Sequence, residues 1–184
     1  LKLIFNAVRQ KGKNYPLMND NFFTKQEKFS DIKLNIARII GPKSKNINRA
    51  LYKNYDSLIK KIKVRYKNIN IFDYKLPKVF NDCHFYHNIL YSKSLSYYLK
   101  NEYRHHPKKI SKSLKKLILI GEKISNSDYD KAENFQSEII MLLEKKFKKI
   151  DFFMDLSTFT TAPKFGSNGL EDHNLIWTMG HIPT

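Results

Sequence analysis

Three stretches read together predict an α/β fold. The run DIKLNIARII (31–40) is dense in β-branched residues and closes on Gly41–Pro42, the mark of a buried strand and its stop. Ile47, Leu51, Tyr55, Leu58, Ile62 and Tyr66 then recur at steps of three and four, which is one face of a helix. INIFDYKLP (69–77) returns to strand character and ends in Pro77. Strand, helix and strand of these lengths make a βαβ unit, so the strands should be parallel neighbours joined by a right-handed crossover.

The other elements follow in chain order. Residues 1–30 mix short apolar pieces with the turn-forming QKGKNYP and MNDN, and read as the tail of a helix and a connection. After Pro77 a long helix is predicted from about Val79 to Tyr103, with Phe80, Phe85, Ile89, Tyr91, Leu95 and Leu99 mostly on one broad face. Pro107 ends that region, because proline cannot continue a helix interior. SKSLKKLILIGEKI (111–124) predicts a shorter amphipathic helix with Gly121 near its end. Ser125 and Asp128 form an S-x-x-D capping signal for the next helix. Its apolar stripe is Ala132, Phe135, Ile139, Leu143, Phe147 and Ile150. DFFM (151–154) reads as a short buried strand, and EDHNLIWTMG as a short helix after a turn-rich loop. No internal repeat or linker interrupts the chain, so residues 1–184 are expected to form one α/β unit.

Composition bounds the function classes. Hydrophobic residues make up 41% of the 184 positions and aromatics 14%, too apolar for a disordered chain. No window of about 18 uncharged apolar residues exists, so no membrane span or membrane partner is expected. The start has neither the apolar core nor the small-residue cleavage site of a signal peptide. It is Leu rather than Met, and the expectation is a piece of a longer chain. The one cysteine, Cys83, forms no internal disulfide and fits a reducing compartment, so a cytoplasmic location is expected. Cys83 reads as a small buried hydrophobe.

The formal charge is +17, and two functions could use it. A basic surface can neutralise phosphates. The cations here are nearly all Lys, however, with arginine only at Arg9, Arg38, Arg49, Arg65 and Arg104, and guanidinium is the better fork for phosphate. Lysine spread along helix faces is ordinarily a solvated surface. A lysine-rich non-catalytic scaffold or nucleic-acid-binding module is therefore the alternative reading, and nucleic acid is not the expected partner.

Chemistry-bearing patterns are sparse. There is no dinucleotide fingerprint, P-loop, H-E-x-x-H or G-x-S-x-G, and no cofactor is implied. His84 and His87 share a helix face beside Cys83, but zinc needs three or four converging ligands and no spacing supplies them, so no metal site is expected. Asp128, Asp130 and Glu133 complement a helix N-terminus. Ser157, Thr158, Thr160 and Thr161 offer hydroxyls without a local base to activate them.

Two stretches carry a resemblance. The segment LKKLILIGEKISNSDYDKAENFQSEIIMLLEKKFKKIDFFM resembles a recurrent segment of the amidase signature family, through Gly121, Ile124, Ser125, Asp128, Tyr129, Ile150 and Asp151. STFTTAPKFGSNGLEDHNLIWTMGHIPT is similar to the family's Ala-Pro-rich loop and following helix, through Ala162, Pro163, Gly169, Asn174, Trp177, Thr178 and Pro183. DIKLNIARIIGP, INIFDYKLP and FYHNILYSKSLSYY resemble earlier family segments in the same order. Asp155 and His181 depart from the pattern, standing where the family commonly has Pro and Gly. The W-T pair distinguishes the chain from the family's tRNA-dependent amidotransferase subunits.

The resemblance implies part of a mixed central sheet flanked by helices, as the C-terminal portion of an amidase-like domain. It implies hydrolysis of carboxamide C–N bonds by a Ser-Ser-Lys triad. No Gly/Ser-rich run that would carry that triad occurs in these residues, so no catalytic residue is assigned here and the chain alone is expected to be inactive. The implied partners are a small amide substrate and a missing N-terminal half. Thr160, Asn174, Trp177 and Thr178 are the expected substrate-binding residues, on the loop 157–171 and the helix after it. Trp177 as a core aromatic and Asn174 as a helix-start residue remain open readings of the same positions.

Overall fold

The computed structural model describes residues 7, 32–41, 46–160 and 174–182. The chain parts into Leu1–Lys33 and Leu34–Thr184, and the elements below belong to the second unit. The expected helix tail and connection at 1–30, and most of the loop after Thr160, lie outside the described residues.

The βαβ unit forms where the apolar periodicity places it. Strand β1 is Leu34–Ile40, helix α1 is Arg49–Arg65 and strand β2 is Ile69–Lys75. Asn48 starts α1 by accepting the backbone N–H groups of Ala50 and Leu51 at 2.9 and 3.3 Å, two of the donors a helix start leaves unpaired. The strands pair in parallel with Leu34 opposite Ile69 and Ile40 opposite Lys75. A third strand, β3 (Phe152–Met154), pairs in parallel with the other side of β1. The described sheet is thus parallel and open, in the order β2-β1-β3, where the resemblance implies a mixed one.

Alternation along the strands divides the core in two. Ile36 and Ile71 face α1 and bury against Tyr55 and Ile59. Ala37 and Ile39 face the opposite layer, with Phe72, Tyr74 and Phe153. That layer holds α2 (Cys83–Tyr98), α4 (Lys112–Lys123), α5 (Asn126–Phe147) and the short α6 (Leu175–Met179). A further short helix, α3 (Lys100–His105), and two 3-10 turns, Lys78–Asp82 and Pro107–Lys109, complete the described elements. Ser111 and Ser125 cap α4 and α5, accepting from Leu114 N at 3.3 Å and Asp128 N at 3.1 Å. The capping signal read at Ser125 is therefore a cap. At the other end of α4, Lys93 Nζ donates to Ile124 O at 2.6 Å, a cation on the negative end of the helix.

Five expectations need correction. The one long helix expected from about Val79 to Tyr103 is a 3-10 turn followed by α2 and α3, which part at Leu99. In α1 the sheet contacts are centred on Tyr55 and Ile59, four residues apart, so Leu58 is turned outward and is 51% exposed. The stripe of α5 holds from Ala132 to Leu143, but Phe147 is 39% exposed at its end. Phe152 is 56% exposed on the short β3, so DFFM is only partly buried. The largest difference is in α2, where Phe85 and Tyr91 point outward while Cys83, Ser92 and Ser96 are buried. The buried serines face Gly121 of α4. It lies so close that a Cβ on it would stand 2.5 Å from Ser92 C and 2.8 Å from Ser96 Cβ, and against Ser92 O. Small side chains at Ser92 and Ser96 let the two backbones meet there. Cys83 is fully buried and free, and burial pushes its thiol up to about 12, far from reactive.

Candidate functional site

In open parallel sheets, binding crevices form beyond the carboxyl ends of the strands, where successive connections leave to opposite faces. That condition is met between β1 and β3. The chain leaves β1 for α1 on one face, and after β3 it reaches α6 on the other. Asp155, the first residue past β3, stands at this junction and lines cavities on both sides.

The larger cavity is a cleft of about 690 Å³ between β3, the end of α5 and α6. Its floor is aromatic. Phe153 and Trp177 stack with centroids 5.4 Å apart and planes at 20°, and Phe147 meets Phe153 edge-on at 4.8 Å. Asp151, Asp155, Ser157 and Asn174 supply the polar lining. Asp151 is fixed by the sheet, its Oδ2 accepting from Asn35 N at 2.7 Å and its own N–H donating to Asn35 O at 2.9 Å. Asp155 Oδ1 accepts from Leu156 N at 2.8 Å. Asn174 reaches across to the loop after β3, Nδ2 donating to Ser157 O at a long 3.4 Å.

The smaller cavity, about 160 Å³, lies on the α1 side between Arg38, Tyr52, Tyr55, Asp155 and Leu156. Tyr55 donates to Met154 O at 2.9 Å. Burial, reinforced by the Asp155 charge, holds its phenol above the ordinary tyrosine range. Arg38 is fully engaged: Nε and Nη2 donate to the two oxygens of Asp73 at 2.7 and 2.9 Å, and Nη1 to Asp56 at 2.8 Å. The Asp73 hydrogen bond, then Asp56, keep the guanidinium even more firmly protonated than usual. Such a fork bridges β1, β2 and α1.

The four residues singled out by the resemblance are placed differently. Asn174 and Trp177 line the larger cleft. Trp177 is also core, only 3% exposed, so its two readings hold together. Thr178 faces outward on α6. Thr160 lies in a local turn, donating its N–H to Thr158 Oγ1 at 3.4 Å and accepting from the same hydroxyl at 3.1 Å; Thr161 lies outside the described residues. Asp151, Phe153, Asp155 and Ser157 are cleft residues that no motif had marked for binding. Asp155 and Ser157 had a faint signal, as a departure from the family pattern and as an unassigned hydroxyl.

His181 is the one non-glycine among the described residues with positive φ, at 53°. Its backbone closes α6: His181 N donates to Thr178 O at 3.2 Å and Ile182 N to Trp177 O at 3.0 Å. That pairing is a Schellman closure, whose left-handed position is ordinarily Gly. Here histidine occupies that position.

Chemically the cleft can hold a small molecule with an apolar face and a few hydrogen-bonding groups. No hydrogen bond joins Ser157 Oγ to a basic side chain among the described residues, and no three His, Cys, Asp or Glu are grouped to hold a metal ion there. No described helix is long and apolar enough to cross a membrane.

No model of a known protein family matches the sequence, and no curated protein does. The fold does have a solved counterpart: a crystal structure of an amidase, with a TM-score of 0.68 and 14% identity, matched over 81% of this chain and 36% of that one. At that identity the likeness is one of fold, and this chain spans little more than a third of the amidase's length.

Proposed function

We propose that the chain is part of an amidase-type hydrolase that cleaves carboxamide C–N bonds. The observation that carries this reading is the likeness of its fold to an amidase over 81% of the chain, which accords with the ordered motifs read from the sequence. In this reading the chain supplies sheet, flanking helices and one wall of the substrate pocket, in a cytoplasmic enzyme. The Ser-Ser-Lys triad belongs to the part of the enzyme that precedes it.

The cleft supports the assignment of a wall. The stacked Phe153 and Trp177 suit the flat, apolar part of an amide substrate. The Asn174 carboxamide, with one acceptor and two donors, and the Ser157 hydroxyl match the C=O and N–H of a carboxamide. Thr160 and Thr178 would then act next to the pocket, supporting the loop and α6.

The test has two arms. Purified residues 1–184 are assayed for ammonia release from simple carboxamides such as acetamide and benzamide, and no turnover is expected. The coding sequence upstream of Leu1 is read for a Gly/Ser-rich stretch preceded by lysine, which is expected to be there. Turnover by this chain alone, abolished by Ser157→Ala or Thr160→Ala, or an upstream frame lacking both features, overturns the proposal.

A further inference from the structure

The close approach of α4 to α2 at Gly121 has a consequence on the outer surface. With the α4 backbone held against Ser92 and Ser96, Ile118 is buried and the two residues directly before Gly121 are turned outward. Leu119 and Ile120 are 44% and 43% exposed, and Phe85 of α2 is 63% exposed. Two concavities meet there, about 570 Å³ between α2 and the α4–α5 corner and about 390 Å³ along α4, sharing Ile120 and Lys123. The first is floored by Phe85, Tyr86, Ile89 and Ile120. The second is bounded by Lys112, Lys115, Lys116 and Lys123. Against these cations the lining carries one acid, Asp128, already paired with Lys131 at 3.4 Å.

We propose that this groove docks an acidic amphipathic helix of a partner protein. Apolar side chains of the partner at i, i+3/i+4 and i+7 enter between Phe85 and Ile120, and its flanking Asp and Glu face the four lysines of α4. Three observations choose this occupant. The part floored by Phe85, Tyr86, Ile89 and Ile120 lies between two helices, which suits a helix laid in a groove and not a flat bilayer, and the lysines continue from it along the face of α4. The cations surround apolar side chains in place of forming a continuous stripe, so a phosphate backbone would leave the floor unfilled. A second copy would bring its own share of the +17 formal charge, and like charges oppose that pairing. From Lys112 to Lys123 α4 runs for about 16 Å at 1.5 Å per residue, so the partner segment is about three turns long. The inference rests on observations other than those behind the amidase reading, and requires that this face stay open in the longer chain which that reading implies.

The probe is a fluorescein-labelled acidic peptide of about 14 residues, with leucines at helical i, i+3/i+4 spacing and glutamates between them. Anisotropy is measured with purified residues 1–184 at low and physiological salt. The expected result is saturable binding, weakened at least tenfold by Ile120→Asp and, separately, by the pair Lys115→Glu and Lys116→Glu. These positions are on the surface, and an unchanged denaturation midpoint shows that each variant is folded. A scrambled peptide of the same composition is expected to bind at least tenfold more weakly. Equal binding of the two peptides means attraction by charge alone and overturns the proposal. So does binding of phosphatidylserine vesicles or duplex DNA at physiological salt in the absence of peptide binding.

Discussion

Replacing Gly121 by alanine sets two effects in opposition. In an exposed helix interior the change is favourable, because alanine exceeds glycine in helix propensity by about 1 kcal/mol. At this position the added Cβ would stand 2.5 Å from Ser92 C and 2.8 Å from Ser96 Cβ, and in contact with Ser92 O. Two of these atoms are backbone, so rotamer changes cannot relieve the clash, and α4 must move away from α2. Overpacking of this kind costs about 1–3 kcal/mol, and rigid backbone on the far side places Gly121 at the upper end. The net expectation is a loss of about 2 kcal/mol. With a urea m-value of about 2 kcal/mol/M, the unfolding midpoint of Gly121→Ala should fall by about 1 M. Urea unfolding followed by far-UV circular dichroism reads it directly. A midpoint that stays or rises would show that propensity decides here and that the helices are not in contact at Gly121.

Two further outcomes test single residues, one at the close of α6 and one in the core beneath α1. Because His181 occupies the left-handed position of the Schellman closure, His181→Gly should be more stable than His181→Ala by about 1 kcal/mol. Both variants lose the ring that meets Gln136 at 3.2 Å, so their difference in urea midpoint isolates the backbone, and equal midpoints refute the assignment. At alkaline pH the buried Tyr55 contributes through linkage. Its folded pKa lies above its unfolded value of about 10, so its stabilisation is complete below that pH and is lost as pH rises beyond it. Tyr55→Phe should therefore flatten the fall in stability above about pH 10. An unaltered alkaline limb would show that Tyr55 ionises as freely in the folded protein as in the unfolded one.

The fold was legible where one local signal was unopposed. β1 and β2 are apolar runs closed by Gly41–Pro42 and Pro77, and Ser125 is a cap because its hydroxyl answers an orphan N–H three residues on. Periodicity failed in α2 for a non-local reason. Phe85 and Tyr91 are the larger apolar groups and claim the core by hydropathy, but the space facing α4 is set by Gly121, about 30 residues away. A glycine at helical spacing from apolar residues was visible, and its partner face was not. Arg38 shows the converse. No local signal explains a lone arginine in an apolar strand, while the βαβ register puts it opposite Asp73. That pairing was available once the two strands had been aligned.

The candidate site was less legible because it is assembled by meetings of distant segments. Asn174 and Trp177 came from a motif, whereas Asp151, Phe153, Asp155 and Ser157 join them through β3 pairing with β1. These positions also differ in what a substitution can reveal. Trp177 is both floor of the cleft and core, and its truncation would cost about 3–5 kcal/mol of stability, so lost binding there would not separate recognition from folding. Asp151 is bound into the β1–β3 ladder by two backbone contacts, and the same ambiguity applies. Asn174 is different. It is partly exposed, its side chain makes no cap hydrogen bond, and its contact with Ser157 O is long at 3.4 Å. Its partial exposure and its place in the cleft make Asn174, more than Trp177 or Asp151, the residue whose exchange for alanine can report on ligand recognition apart from the core and the strand ladder.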